Sequence, residues 1–258
     1  MTALDIDRLL RRLESLHAIA LLERTSSTND IGRRVLDECI ENEIPLPAAV
    51  IVAREQWAGR GRGARSWHSP AGNGIYATTL HSRPGKNLAA LPLEVAVIVA
   101  EFLRETYRVD ARIKWPNDIL IGSKKIAGIL IEARIHEDQV YALIGTGINI
   151  TPFTEDVADS TTLAAESTVE CIDVDSATEA FIEFIDTRLS SSSERAEIIE
   201  RWSKLTIHEK GDRIVCRVGD QVIEGRWVGV DDFGCALLRQ GDEIVRVSGG
   251  DLYRVEGA

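Results

Sequence analysis

The run Ala58-Gly59-Arg60-Gly61-Arg62-Gly63-Ala64-Arg65-Ser66-Trp67 decides whether this chain is a dinucleotide-binding fold. Gly59 to Ala64 satisfies G-x-G-x-x-G/A, a pattern that in such folds ends a strand and opens a helix onto a pyrophosphate. Pro70, Gly72 and Gly74 follow at once and forbid that helix. No Asp or Glu occurs from Gln56 to Leu93, so the acidic ribose contact is missing as well. What remains is a glycine-flanked arginine loop. Glycines let backbone N–H groups approach a ligand, and arginines offer planar forks for carboxylate or phosphate oxygens. Arg60, Arg62, Arg65, Arg83 and Lys86 place five positive charges in this window of a chain whose net charge is −11. A local cationic pocket in so acidic a chain points to a small anionic substrate, with the loop closing over a phosphate. A solvated arginine-glycine loop is the plainer alternative, and Trp67 favours a loop that packs.

Outward from this loop the pattern alternates between strands and helices. Leu9, Leu10, Leu13 and Leu16 have helical spacing and predict a short helix over 5–17. Ser27-Thr28-Asn29-Asp30 offers N-caps for a helix to about Glu43, and Ala48–Ala53 reads as a buried strand feeding the loop. Strands follow at Ile75–Leu80, Arg112–Trp115, Ile119–Ile121, Lys125–Glu132 and Val140–Ile144, the last leading into Gly145-Thr146-Gly147-Ile148-Asn149. Helices are expected over Leu91–Tyr107, Ser176–Leu189 and Ser193–Leu205. From Glu209 onward five short β-branched runs alternate with Gly and Asp turns, which suggests a small barrel appended to an α+β domain.

Composition narrows the function. Hydrophobic residues at 44% and charged residues at 28% describe an ordinary globular chain. The acidic balance opposes a general nucleic-acid binder. Neither a signal peptide nor an apolar run of the ~18 residues needed for a membrane span is present, so a cytoplasmic location is expected. Cys39, Cys171, Cys216 and Cys235 have no CxxC spacing and read as free thiols. The five histidines show no metal-ligand spacing, and neither a P-loop nor a Gly-x-Ser-x-Gly elbow occurs.

Lys114-Trp115-Pro116-Asn117-Asp118 concentrates a cation, a stiff turn, an amide and a carboxylate. Plain turn chemistry accounts for Pro-Asn-Asp equally well. Gly122-Ser123 suits a two-residue hairpin that returns Lys125 beside this turn, with Lys124 left on the surface.

Taken in order, the motifs resemble the biotin protein ligase family. They are Ser27-Thr28-Asn29, Gln56-x-x-Gly59-Arg60-Gly61-Arg62, Trp67-x-Ser69-Pro70, Lys114-Trp115-Pro116-Asn117-Asp118, Lys125-x-x-Gly128-Ile129-Leu130 and Gly145-x-Gly147-Ile148-Asn149. Gly249-Gly250-Asp251 adds a match near the end. Each motif alone is weak, but their order over nearly the whole chain is specific. The resemblance implies an α+β catalytic domain of class II synthetase type over residues 1–208, a mixed sheet with helices, then an SH3-like barrel over 209–258. It implies that biotin and ATP give biotinyl-5′-AMP and pyrophosphate, and that a lysine of a biotin carboxyl carrier protein then takes the biotinyl group.

On this resemblance Ser27, Thr28, Asn29 and Gln56 hold the ureido head of biotin. Gly59, Gly61 and Gly128 lie close to biotin, and Trp67 walls its apolar part. Arg60, Arg62 and Lys125 stabilise charge, with Lys125 at the carboxylate and α-phosphate. Lys114, Asn117 and Asn149 belong to the ATP side, and Asp118 receives the incoming lysine. Mg²⁺ is implied as a cofactor, with no ligands named. Three departures stand out: Gly63 and Ala64 replace a basic residue and a Gly, Ser160-Thr161-Thr162-Leu163 lacks a Trp for adenine, and the stretch before Ser27 is short. The last leads to an expectation of no DNA binding. No membrane partner is expected, and a homodimer is left open. Alternatives are a lipoate or octanoate ligase, a non-catalytic biotin sensor, and an RNA-binding module. A surplus of acidic over basic residues beyond Glu209 opposes the last.

Overall fold

A computed structural model describes residues 4–63, 65–84, 90–136, 138–155, 157–191 and 193–254. Ala64 and Lys86, both weighed in the sequence, lie outside them. A seven-stranded sheet is built from β1 (Ala18–Leu22), β2 (Ala49–Ala53), β3 (Gly74–Pro84), β4 (Ala111–Lys114), β5 (Asp118–Ile121), β6 (Lys124–His136) and β7 (Gln139–Asn149). Its order is β1-β2-β3-β7-β6-β5-β4. β1 and β2 are parallel and the other pairs antiparallel, so the sheet is mixed, as expected.

Alternation on the central strands divides the apolar side chains between two faces. Val50, Val52 and Ala77 join the main core beneath α3 (Leu91–Tyr107), α5 (Val174–Ser190) and α6 (Arg195–Leu205). Ala49, Ile51, Leu80 and Leu143 face α2 (Thr28–Glu41) in a smaller cluster with Leu36 and Cys39. α3 is apolar almost all round and largely buried, which overrides the weak helix propensity of Val95, Val97, Ile98 and Val99. It ends at Arg108 in the left-handed region, φ 56°.

Two expectations need correction. The first helix, α1, spans only Ile6–Leu10. Beyond it the N–H groups of Glu14, Ser15 and Leu16 donate to the Asp186 carboxylate on α5, so backbone donors that a longer helix would use are taken tertiary. The chain then enters β1, a strand whose parallel partner lies 31 residues away and leaves no local signature. A short helix, α4 (Leu163–Glu166), was also not foreseen.

The five runs beyond residue 209 form β8 (Arg213–Val218), β9 (Gln221–Val230), β10 (Ala236–Gln240), β11 (Glu243–Val247) and β12 (Asp251–Arg254). Their antiparallel order, β11-β10-β9-β8-β12, is that of a small SH3-like barrel. Its apolar interior is continuous with the main core. Trp202 on α6 and Trp227 on β9 lie with ring centres 6.3 Å apart, and His208 sits 4.7 Å from Trp227. The buried Trp115 donates its indole N–H to the Gly234 carbonyl at 2.9 Å and its backbone N–H to His208 Nε2 at 3.2 Å. The turn after β4 is thereby braced on the barrel. Among the described residues, no helix is long and apolar enough to cross a membrane.

Candidate functional site

The N-terminus of α2, the arginine loop, the β4–β5 turn and the middles of β6 and β7 surround one cavity of about 110 Å³. Ser27, Thr28 and Asn29 enter it from the start of α2, each almost fully buried. Their positions are fixed by a polar network. The Thr28 backbone N–H donates to Gln56 Oε1 at 2.8 Å, and Gln56 Nε2 donates to Ser69 Oγ at 2.9 Å. Fully buried Thr78 donates to Asn29 Oδ1 at 2.6 Å and lies 2.8 Å from the Thr28 hydroxyl.

Trp67 forms the apolar wall. A Cβ at Gly147 would overlap its indole ring, and one at Gly128 would stand 2.9 Å from Cζ3. Gly145 is bare for the same reason, since a Cβ there would overlap the Asn29 amide. Glycine in the middle of a strand weakens it unless another group must come close, and here an indole and an amide do. Trp67 Nε1 and Thr146 Oγ1 are buried with no hydrogen-bond partner among the described residues, and both residues line the cavity. Unpaired buried donors of this kind suit a ligand with acceptors.

Lys125 lies at the other end, its Nζ 2.6 Å from Asp118 and 5.2 Å from the centre of the Trp67 ring. A shift in the β5–β6 register places Ile126 as an extra residue between the pairs Leu120–Lys125 and Ile119–Ala127. Such a bulge reverses the alternation, so Lys125 joins Gly128 and Leu130 in lining the cavity. Asn117 also lines it, held by its side-chain N–H to the Ile129 carbonyl at 2.9 Å.

The arginines are placed differently from a simple cationic pocket. The loop folds back as a hairpin, with Trp67 N–H donating to the Gly59 carbonyl and Gly61 N–H to the Arg65 carbonyl. Arg60 lines the cavity but pairs with Asp30 and Glu132, each at 3.1 Å. Arg62 also lines the cavity, and its Nη1 donates to the Gly250 carbonyl at 3.1 Å. Burial lowers the Arg62 pKa from its ordinary value. Gly249 is bare where a Cβ would stand 2.6 Å from Arg62 Nη2, and Gly250 has φ 138°. Arg65 pairs with Asp251, and Arg83 with Glu94. A window without acids in sequence is therefore supplied with acids in space, because the carboxylates come from α2, β6, α3 and the barrel.

Three residues assigned from the sequence lie outside the lining. Gly59 sits behind the cavity, where a Cβ would meet Ser69 Oγ and the Trp67 carbonyl. Asn149 is buried, and its amide donates to the carbonyls of Thr161, at 3.1 Å, and Lys125, at 3.5 Å, so that it anchors the Lys125 backbone. Lys114 lies over the Tyr253 ring of the barrel at 5.8 Å. Conversely, Thr146 lines the cavity, Thr78 and Glu132 hydrogen-bond to side chains that line it, and none of the three was assigned from the sequence. Thr146 alone carried a signal, standing between two glycines in an otherwise apolar strand. Among the described residues, no group of three or more His, Cys, Asp or Glu is placed to hold a metal ion.

Comparison with known proteins bears directly on this cavity. Residues 21–149 match the biotin/lipoate A/B protein ligase family, and residues 211–254 match the biotin protein ligase C-terminal domain. The biotin–[acetyl-CoA-carboxylase] ligase of Paracoccus denitrificans is 32% identical over 238 residues, covering 85% of this chain and 93% of its own. The bifunctional ligase/repressor BirA of Bacillus subtilis is 30% identical over 230 residues, 85% of this chain and 70% of its own. Among solved structures, the biotin protein ligase of Aquifex aeolicus in complex with biotin and ATP superposes with a TM-score of 0.73 at 26% identity. It covers 92% of this chain and 99% of that one. With both segments matched in order and every residue that lines the cavity lying within the first of them, the chain belongs to the biotin protein ligases of the biotin/lipoate A/B protein ligase family and is a ligase.

Proposed function

We propose that this chain activates biotin with ATP to biotinyl-5′-AMP and transfers the biotinyl group to a lysine of a biotin carboxyl carrier protein. The observation that carries the reading is the cavity's polarity. One end gathers hydroxyl and amide groups from Ser27, Thr28, Asn29 and Gln56, the middle is walled by Trp67, and the far end holds Lys125 and Asp118. A urea head, an apolar body and a carboxylate tail meet these three environments in order. A lipoyl or octanoyl chain would leave the polar end unpaired, which disfavours such acids.

Attack of a carboxylate on an α-phosphate brings anions together, so the transition state needs fixed positive charge. Lys125 supplies it at the reacting end, and Arg60 and Arg62 supply it from the loop once their present partners yield. Asp118, freed from Lys125 by an incoming ammonium, orients that lysine and helps remove its proton. The mixed anhydride is water-labile, and the loop over the cavity shields it.

Asp118 is the one carboxylate among the described residues that line the cavity. That donor set fits a Mg²⁺ carried in on the ATP phosphates better than one caged by protein, and the ion would neutralise phosphate charge there. The same reading divides the chain into a catalytic domain, 1–208, and a barrel, 209–258, and places it in the cytoplasm. Pyrophosphate release from ATP, compared for biotin, lipoate and octanoate, tests it. Release with biotin alone is expected, and equal or greater release with lipoate would overturn the choice of substrate.

A further inference from the structure

Glu132 lies on β6, beyond the motif residues, and its two carboxylate oxygens have separate partners. Arg33 on α2 donates to Oε2 through Nη2 at 2.7 Å and Nε at 3.2 Å. Oε1 is left to accept from Asn29 Nδ2 at 3.1 Å and from Arg60 Nη1 at 3.1 Å. The Leu130 carbonyl is a second, longer acceptor for Asn29 Nδ2, at 3.4 Å.

An asparagine amide has a donor end and an acceptor end, and its neighbours decide which way it turns. Thr78, on the other side of Asn29, is a hydroxyl and adapts to either end. An ionised Glu132 and a carbonyl accept only. They hold Nδ2 on their side and force Oδ1 toward Thr78, where one of its two lone pairs is taken. Turning the amide over would set Oδ1 against a carboxylate and leave a buried group unpaired, at the cost of a broken charge-assisted bond.

We infer that Glu132 is a positioning residue: clamped by Arg33, it fixes the orientation of the Asn29 amide so that the head of the cavity presents an acceptor to a ligand N–H. This deepens the reading above, since the ureido nitrogens of biotin are such donors, and it rests on that reading only for the ligand's identity. Glu132 itself does not touch the ligand.

Two readouts separate the orientation from the substrate. In ¹⁵N-edited spectra of the free protein, the Asn29 side-chain amide, assigned by its loss in Asn29→Ala, should carry one downfield proton that Glu132→Ala moves upfield. In calorimetry with biotin, Glu132→Ala should weaken binding about 3–10-fold, the range for one lost hydrogen bond. The double variant Glu132→Ala/Asn29→Ala should bind no worse than Asn29→Ala. A reversal is the sharper test. Asn29→Asp keeps the acceptor but faces the Glu132 carboxylate, so it should bind poorly, and adding Glu132→Gln should restore at least half of the lost affinity on a logarithmic scale. An unmoved amide resonance, additive losses in the double variant, or no rescue would each overturn the role of Glu132. Wild-type protein that shows the resonance shift but no heat with biotin would instead sink the proposed substrate and leave the amide orientation standing.

Discussion

Lys125→Ala should nearly abolish the first half-reaction, and its effect divides into two parts. The ammonium lies 2.6 Å from Asp118, with side chains 32% and 27% exposed. A pair this open contributes about 1 kcal/mol in the free protein, so the fold should survive its loss with a small fall in melting temperature. The transition state is another matter. Removing one fixed electrostatic donor costs about 10²–10³ in rate, or about 3–4 kcal/mol. The variant also leaves Asp118 as an unpaired anion facing an incoming carboxylate and phosphate. Adding Asp118→Asn to Lys125→Ala should therefore regain about fivefold, the worth of one removed repulsion of about 1 kcal/mol. Single-turnover pyrophosphate release with saturating biotin and ATP measures both. A normal rate in Lys125→Ala would reduce this residue to a surface lysine, and a double variant slower than the single one would refute the repulsion.

Asp118→Asn alone should slow transfer to the carrier while sparing adenylate formation, and shift the transfer pH profile alkaline; pyrophosphate release from ATP should stay normal while transfer from supplied biotinyl-5′-AMP is slowed, and normal transfer from the supplied adenylate would remove the assignment. Arg62→Gly, which gives up the contact with Gly250, should release adenylate that labels exposed lysines at random; labelling confined to the carrier lysine would contradict a shielding loop. Gly147→Ala puts a methyl into the Trp67 ring, so it should cost about 1–3 kcal/mol of stability and weaken biotin binding at least tenfold by calorimetry; unchanged binding would mean that the indole does not wall the ligand. Burial, helped by Lys114, lowers the His208 pKa from 6.5 to about 4, and the neutral ring accepts from Trp115 N–H. The unfolded chain thus binds more protons between these values, so stability is full above pH 6.5 and falls as pH drops toward 4. Denaturation at pH 7 and pH 4.5 should show this loss, and His208→Gln should reduce it.

The sequence carried the order of elements because most depend on local periodicity: α3 begins and ends where its pattern places it, the β5–β6 hairpin turns at Gly122-Ser123, and five strands follow residue 209, while β6 runs on to His136, four residues past its expected end. It failed where the deciding partner was distant. Asp186 captures the N–H groups that would have continued α1, and β1 exists only because β2 lies beside it. The site divides the same way. Ser27, Thr28, Asn29, Gln56, Trp67 and Lys125 sit in motifs whose residue types disclose their chemistry. Glu132 and Thr78 act by orienting others, and nothing in their neighbourhood distinguishes them from an ordinary strand glutamate or a buried threonine. The arginine loop shows the reverse error: its charge was plain to read, but the acids that satisfy it come from four other elements.

The contact between Trp115 and the barrel makes the division at residue 209 one of topology alone. The turn bearing Asn117 and Asp118 leans on a single carbonyl, that of Gly234, and on one imidazole stacked against Trp227. A barrel borrowed from a relative would have to offer a carbonyl at that spot as well as the Gly250 and Asp251 contacts to the arginine loop, so module exchange between members is restricted by a few atoms. Random substitutions in the β9–β10 loop should accordingly surface in screens as slow enzymes before they surface as unfolded ones.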